Sequence, residues 1–138
     1  MESYKVERCI KPKNVSDIAT AQLHNFCDAS ERGYGVVTYL RLTSSDDVVH
    51  TAFLFGKARV APLKRMTIPR LELTAAMLAV KIDRMLKTEL QIPLTASTFW
   101  TDSTSVLKFI KSDTQRFHTF VANRVGVIRE STEVAQWR

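Results

Sequence analysis

The chain has 138 residues, 45% of them hydrophobic and 25% charged, a balance that suits one globular domain and excludes wholesale disorder. Its formal net charge is +6 at a pI of about 9.6, which favours a polyanionic partner, nucleic acid above all. No apolar run reaches the roughly 18 residues that span a bilayer, and the charged opening MESYKVERCIKPK lacks a signal core, so an intracellular, non-secreted chain is expected.

Residues 1–20, with Pro12, Asn14, Ser16 and Asp17, read as an irregular lead-in. Residues 21–138 read as the domain proper. Two cysteines, Cys9 and Cys27, sit in no zinc-type spacing, which fits a reduced compartment. Gln22–Asp28 is the first strand candidate, and ERGYG is a turn in which Gly33 and Gly35 are free to take positive φ. YGVVTYLRL, 34–42, alternates and is rich in β-branched and aromatic residues, a second strand. TSSDD is a polar hairpin loop, and VVHTAFLFGKARV, 48–60, is a third strand, which completes an antiparallel meander. The period then changes. PRLELTAAMLAVKIDRMLKTEL, 69–90, predicts a long helix with Pro69 at its first position, Leu71, Leu78, Ile82, Met85 and Leu86 at helical spacing, and Asp83 and Lys87 as a surface i,i+4 pair. TASTFW, 95–100, predicts a fourth strand, parallel to the meander through a right-handed crossover. Helices are predicted at 103–112 and 116–131, and a short fifth strand at 134–137. The sum is a mixed α/β sheet of five strands with helices packed on it.

Three acids stand where apolar burial is expected. The first strand ends on Asp28, and FWTDSTS ends the fourth on Asp102. If the two strands are parallel neighbours, both carboxylates share one edge of the sheet, where open α/β sheets bind ligands. Glu72, in IPRLELTAA, lies in the first turn of the long helix, with Ala76 and Ala79 permitting close approach to the sheet. Singly, each has an ordinary role: Asp102 as a helix N-cap, Glu72 against the helix dipole, Asp28 starting a turn. Together they form an oxygen-only set whose mutual repulsion a cation relieves, which suits Mg²⁺ or Mn²⁺. Two such ions would stabilise the attacking water and leaving oxygen of a phosphodiester. Between Gly56 and Arg70, the residues Lys57, Arg59, Lys64, Arg65 and Arg70 are accompanied by no acid, a track suited to a phosphate backbone or an ordinary solvated loop. Asn123 and Arg124 could reach nucleic acid from the third helix, or lie on its solvated face. His24, His50 and His118 read as structural histidines, and Trp100 as a core residue. No Gly-x-Ser-x-Gly elbow supports serine chemistry.

The segments FCDASERGYGVVTYLR, GKARVAPLKRMTIPRLELTAA, FWTDSTSVLKFI and RFHTFVANRVGVIRES…QWR resemble the ribonuclease H region of Bel/Pao-type LTR retrotransposon polyproteins, over about residues 20–138. The resemblance implies the ribonuclease H fold, a former fusion to a reverse transcriptase, and two-metal cleavage of the RNA strand of an RNA–DNA hybrid. It assigns Asp28, Glu72 and Asp102 as the catalytic, metal-binding acids. It also implies a fourth acid in a final helix that would follow Arg138. Glu130 and Glu133 do not occupy that position, so the chain is expected to be truncated. The alternative is an inactive relic that binds duplex nucleic acid through its basic residues. An integrase-type core, which shares the fold, places its glutamate after the second aspartate; Glu72 precedes Asp102.

Overall fold

The computed structural model describes residues 18–61, 66–90, 92–112 and 119–138. Strand β1, Ile18–Ser30, begins ahead of the expected start at Gln22 and pairs antiparallel with β2, Gly33–Ser44. β2 pairs in turn with β3, Val49–Val60, completing the expected meander. The tight β1–β2 turn depends on space rather than on φ, since no glycine takes positive φ. A Cβ at Gly33 would run into the Arg59 carbonyl oxygen, so β2 can approach β3 only with glycine there. Positive φ falls instead on Asp47, at 63°, in the β2–β3 loop, a conformation aspartate tolerates.

Helix α1, Ile68–Glu89, crosses back over the sheet, and β4, Thr98–Thr101, pairs parallel to β1. The strand order is β3-β2-β1-β4. Helices α2, Thr104–Lys111, and α3, Thr119–Ser131, follow. The expected helix start at 116 lies outside the described residues. One expectation is corrected: a fifth strand does not form. Val134–Gln136 is a 3₁₀ turn, and Trp137 makes a single parallel bridge to Phe99. The Glu133 carboxylate and Gln136 side chain cap that turn reciprocally, which holds the backbone curled. The ladder reaches only the Arg138 amide on the Phe99 carbonyl, at 2.9 Å, and the Thr101 amide on the Arg138 carbonyl, at 3.2 Å.

Alternation decides which side chains are buried. Ala21, Leu23, Asn25 and Cys27 of β1 face α1 together with Val36, Thr38, Leu40 and Leu42 of β2. Phe99, Leu73, Val80, Val125 and Ile128 complete this core. A polar network runs through it. The Asn25 amide donates to Asp83 at 3.0 Å, Ser97 donates to the same carboxylate oxygen at 2.5 Å, and Thr38 donates to Asn25 at 2.7 Å. Asp83 does pair with Lys87, at 3.2 Å, but it is only 4% exposed. The predicted surface pair is half core, because the strands bring Asn25 and Ser97 onto Asp83.

Candidate functional site

The β1–β4 ladder pairs His24 with Thr98 and ends at Cys27 with Thr101. The next residue on each strand is an acid, so register alone sets Asp28 beside Asp102. Both are exposed. The Ala29 amide donates to the Asp28 carboxylate at 2.9 Å. Ser103, not Asp102, caps α2, accepting from the Val106 amide at 3.2 Å. Asp102 is therefore not spent on the ordinary capping role. Glu72 is half-buried on α1, beyond a first turn that holds no acid, one residue further in than a helix starting at Pro69 implied.

Cys27 lies within electrostatic reach of all three acids. Its buried thiol is pushed up to about 12, first by burial and then by the charges of Asp102, Asp28 and Glu72, while a hydrogen bond with the Thr101 side chain works the other way. Three carboxylates from three elements thus act on one sulfur atom. They are oxygen donors of the kind a hard divalent cation takes. Among the described residues, no three acids, histidines or cysteines draw close enough to hold one ion together. The donor chemistry fits a metal, and all three acids are near enough to bear on Cys27. No isolated sequence signal marked Cys27, although its place just before Asp28 was visible.

Asp28 and Asp102 line a groove of about 1110 Å³ with Lys57 and Arg59 of β3 and with Phe26 and Trp100. The predicted basic residues divide. Lys57 and Arg59 share the groove with the acids. Lys64 and Arg65 lie outside the described residues. Arg70 and Arg124 meet over one ring, their guanidinium carbons 5.0 and 3.5 Å from the centre of Phe120. Arg124 also donates to the Thr74 hydroxyl at 3.3 Å and the Phe120 carbonyl at 3.2 Å. Desolvation holds its pKa below the usual arginine value; Tyr34 opposes this shift, and the like charge of Arg70 adds to it. Among the described residues neither arginine is paired with a carboxylate. Two cations held together without an acid are poised to take an anion. Asn123 is exposed on the same helix as Arg124. Sequence reading marked both arginines but not their meeting on Phe120, which joins residues 54 positions apart.

One other expectation changes. Trp100 is not core: it is 37% exposed and stacks on Phe26, ring centres 5.8 Å apart and planes within 8°. His24 has the expected structural role, in hydrogen bonds to Trp100 and Gln22. His118 lies outside the described residues, and His50 is exposed.

A search of curated proteins finds no match to this chain. Among solved structures, RNase H1 from the halophilic archaeon Halobacterium salinarum aligns over 84% of this chain and 81% of its own, at 14% identity and a TM-score of 0.52. LC11-RNase H1, solved in complex with an RNA/DNA hybrid, aligns over 86% of this chain and 81% of its own at 12% identity, with a TM-score of 0.49. The N-terminal RNase H domain of a Mycobacterium tuberculosis protein aligns over 87% and 82% at 12% identity, with a TM-score of 0.48. At such identities the first of these likenesses establishes the fold, an α/β RNase H-like sheet with its helices. The model of the Pao retrotransposon-like RNaseH-like domain matches residues 1–103, three quarters of the chain and a span that holds Asp28, Glu72 and Asp102. On that match the chain belongs to the Pao retrotransposon-like RNaseH-like domain family.

Proposed function

We propose that this domain hydrolyses the RNA strand of RNA–DNA hybrids with the help of two divalent cations, Mg²⁺ or Mn²⁺. The observation that carries the reading is the parallel register that sets Asp28 beside Asp102, with Glu72 acting on the same buried thiol. Asp28, Glu72 and Asp102 would hold the ions. When bound, they would supply a water activated at neutral pH and charge stabilisation of the leaving oxygen. The protein's own part is placement. Register fixes two carboxylates at one sheet edge, and α1 brings the third from above. Arg70 and Arg124, a pair of cations without an acid among the described residues, suit a backbone phosphate, and Lys57 and Arg59 suit one along the groove. Lys64, Arg65 and Asn123 belong to the same proposed track. The family origin supports a former fusion to a reverse transcriptase and an intracellular setting. Among the described residues no helix is long and apolar enough to cross a membrane.

A second reading is an inactive module that binds hybrid or duplex without cutting it. The open spacing of the acids favours it, because the Arg70–Arg124 pair needs no metal to bind a phosphate. Cleavage of a labelled RNA–DNA hybrid in Mg²⁺ and in Mn²⁺, with an Asp28→Asn control, separates the two. Cleavage that Asp28→Asn abolishes is the expected result. Hybrid bound but uncut, with salt-dependent affinity that falls in Arg124→Ala, would replace the nuclease by the binding module.

A further inference from the structure

Strand β4 has four residues, Thr98–Thr101, and carries Asp102 at its end. A short parallel ladder specifies its own register weakly. A slip of one residue would turn every side chain to the other face, and a slip of two would move Asp102 along the strand. On the covered face Phe99 anchors the strand. On the other face a chain of hydrogen bonds does so. The Trp100 indole N–H donates to His24 Nδ1 at 3.0 Å. His24 Nε2 lies 2.8 Å from Gln22 Oε1. Gln22 Nε2 donates back to the strand's approach, to the Ala96 carbonyl at 2.8 Å and the Thr98 hydroxyl at 3.3 Å.

The direction of this chain follows from its first donor. An indole N–H only donates, so Nδ1 of His24 must accept, and the imidazole proton sits on Nε2 and points at Gln22. The Gln22 amide is thereby oriented with its nitrogen toward β4. The relay leaves β4 at Trp100, crosses β1 and returns to β4 at Thr98 and to its approach at Ala96. It needs a neutral imidazole. Burial, and the charge of Arg41, lower the His24 pKa below its usual value and hold it neutral. Arg41 stands opposite Gln22 in the β1–β2 register.

We infer that Gln22, His24 and Trp100 are positioning residues that lock the register of β4 against β1 and so set Asp102 beside Asp28. The inference rests on the nuclease reading above for its catalytic consequence, but its structural half can be measured alone. The test compares wild type, Trp100→Phe, His24→Leu and the double variant. Trp100→Phe keeps a ring against Phe26 and removes only the donor. Readouts are kcat and KM for the hybrid, half-saturation by Mn²⁺ followed through broadening of the Ala29 and Ser103 amide resonances, and exchange rates of the backbone amides of residues 98 and 100, which alternate with those turned to the Trp137–Arg138 bridge and so face β1. One net hydrogen bond corresponds to a threefold to tenfold effect, roughly. The expected result is that Trp100→Phe lowers kcat and weakens Mn²⁺ by about that factor with KM unchanged. The double variant should be no worse than the poorer single, since both remove the same bond. Unchanged kcat and Mn²⁺ half-saturation in a variant of an active wild type would overturn the inference, as would a loss confined to KM. If wild type neither cleaves hybrid nor binds Mn²⁺, the nuclease reading fails by itself. The register lock then stands if the amides of residues 98 and 100 exchange about threefold to tenfold faster in Trp100→Phe, and falls if they do not.

Discussion

The two faces of one sheet follow different rules. Toward α1, Leu23, Leu40, Val36 and Phe99 are all but inaccessible, and even the polar Asn25 and Thr38 are sealed and fully hydrogen-bonded. On the reverse, Phe26 is 43% and Phe53 52% exposed. Phe26 and Tyr39, and Tyr39 and Phe53, meet edge to face with centres 5.8 and 6.0 Å apart, and Trp100 extends the row to His24. The same strands supply both faces, so composition does not separate them. What separates them is the partner: α1 excludes water from one face, while ring-on-ring contact shields the other only in part. An apolar residue is worth the area it loses to water, so equal side chains should count for very different amounts on the two faces.

The largest expected effect is on the covered face. Phe99→Ala should lower unfolding free energy in urea by about 3–5 kcal/mol; a loss under about 1 kcal/mol would mean that this face is not the core. Next comes the alkaline limb of the stability curve. The Cys27 thiol stays protonated in the fold up to about pH 12 but ionises near its ordinary 9.0 once unfolded. The contribution is therefore whole below about pH 9 and lost as pH rises toward 12, at about 1.4 kcal/mol per unit. That amounts to roughly 4 kcal/mol at most over the window. Subtracting the Cys27→Ala profile from wild type should show this slope, and parallel profiles would refute it. Asp83→Ala should cost about 2–4 kcal/mol, since it strands the Asn25 amide and the Ser97 hydroxyl in the core. Were Asp83 merely half of a surface pair, the cost would be under about 0.5 kcal/mol, so denaturation of this one variant decides between the two views. Smallest is Phe53→Ala on the open face, expected at about 1 kcal/mol or less because half its ring is already in water. A cost approaching that of Phe99→Ala would erase the contrast between the faces.

How much of this was legible in the chain varies from residue to residue. Helix α1 was readable to within a residue of each end, because Pro69 and the recurrence of Leu71, Ile82 and Leu86 are local signals. The meander was readable from period-2 runs broken by turn residues. Trp100 was misplaced because an apolar strand names both parities alike; only packing tells which one α1 covers. Asp83 was misplaced for the converse reason. An i,i+4 acid–base pair reads as surface, although its spacing from Ala79 and Leu86 also put it on the buried side. The fifth strand failed because VAQW has a strand's composition but is held in a 3₁₀ turn by the reciprocal cap of Glu133 and Gln136.

By itself the sequence determined the order of the elements, the basic charge and the succession Asp28, Glu72, Asp102, since each is written in local chemistry or spacing along the chain. Only the tertiary structure decided that Asp28 and Asp102 are in register, that all three acids act on Cys27, and that Arg70 and Arg124 share the ring of Phe120. These depend on which of many possible pairings between distant segments buries the most apolar surface while leaving no polar group unpaired. That choice belongs to the whole chain at once and to no stretch of it.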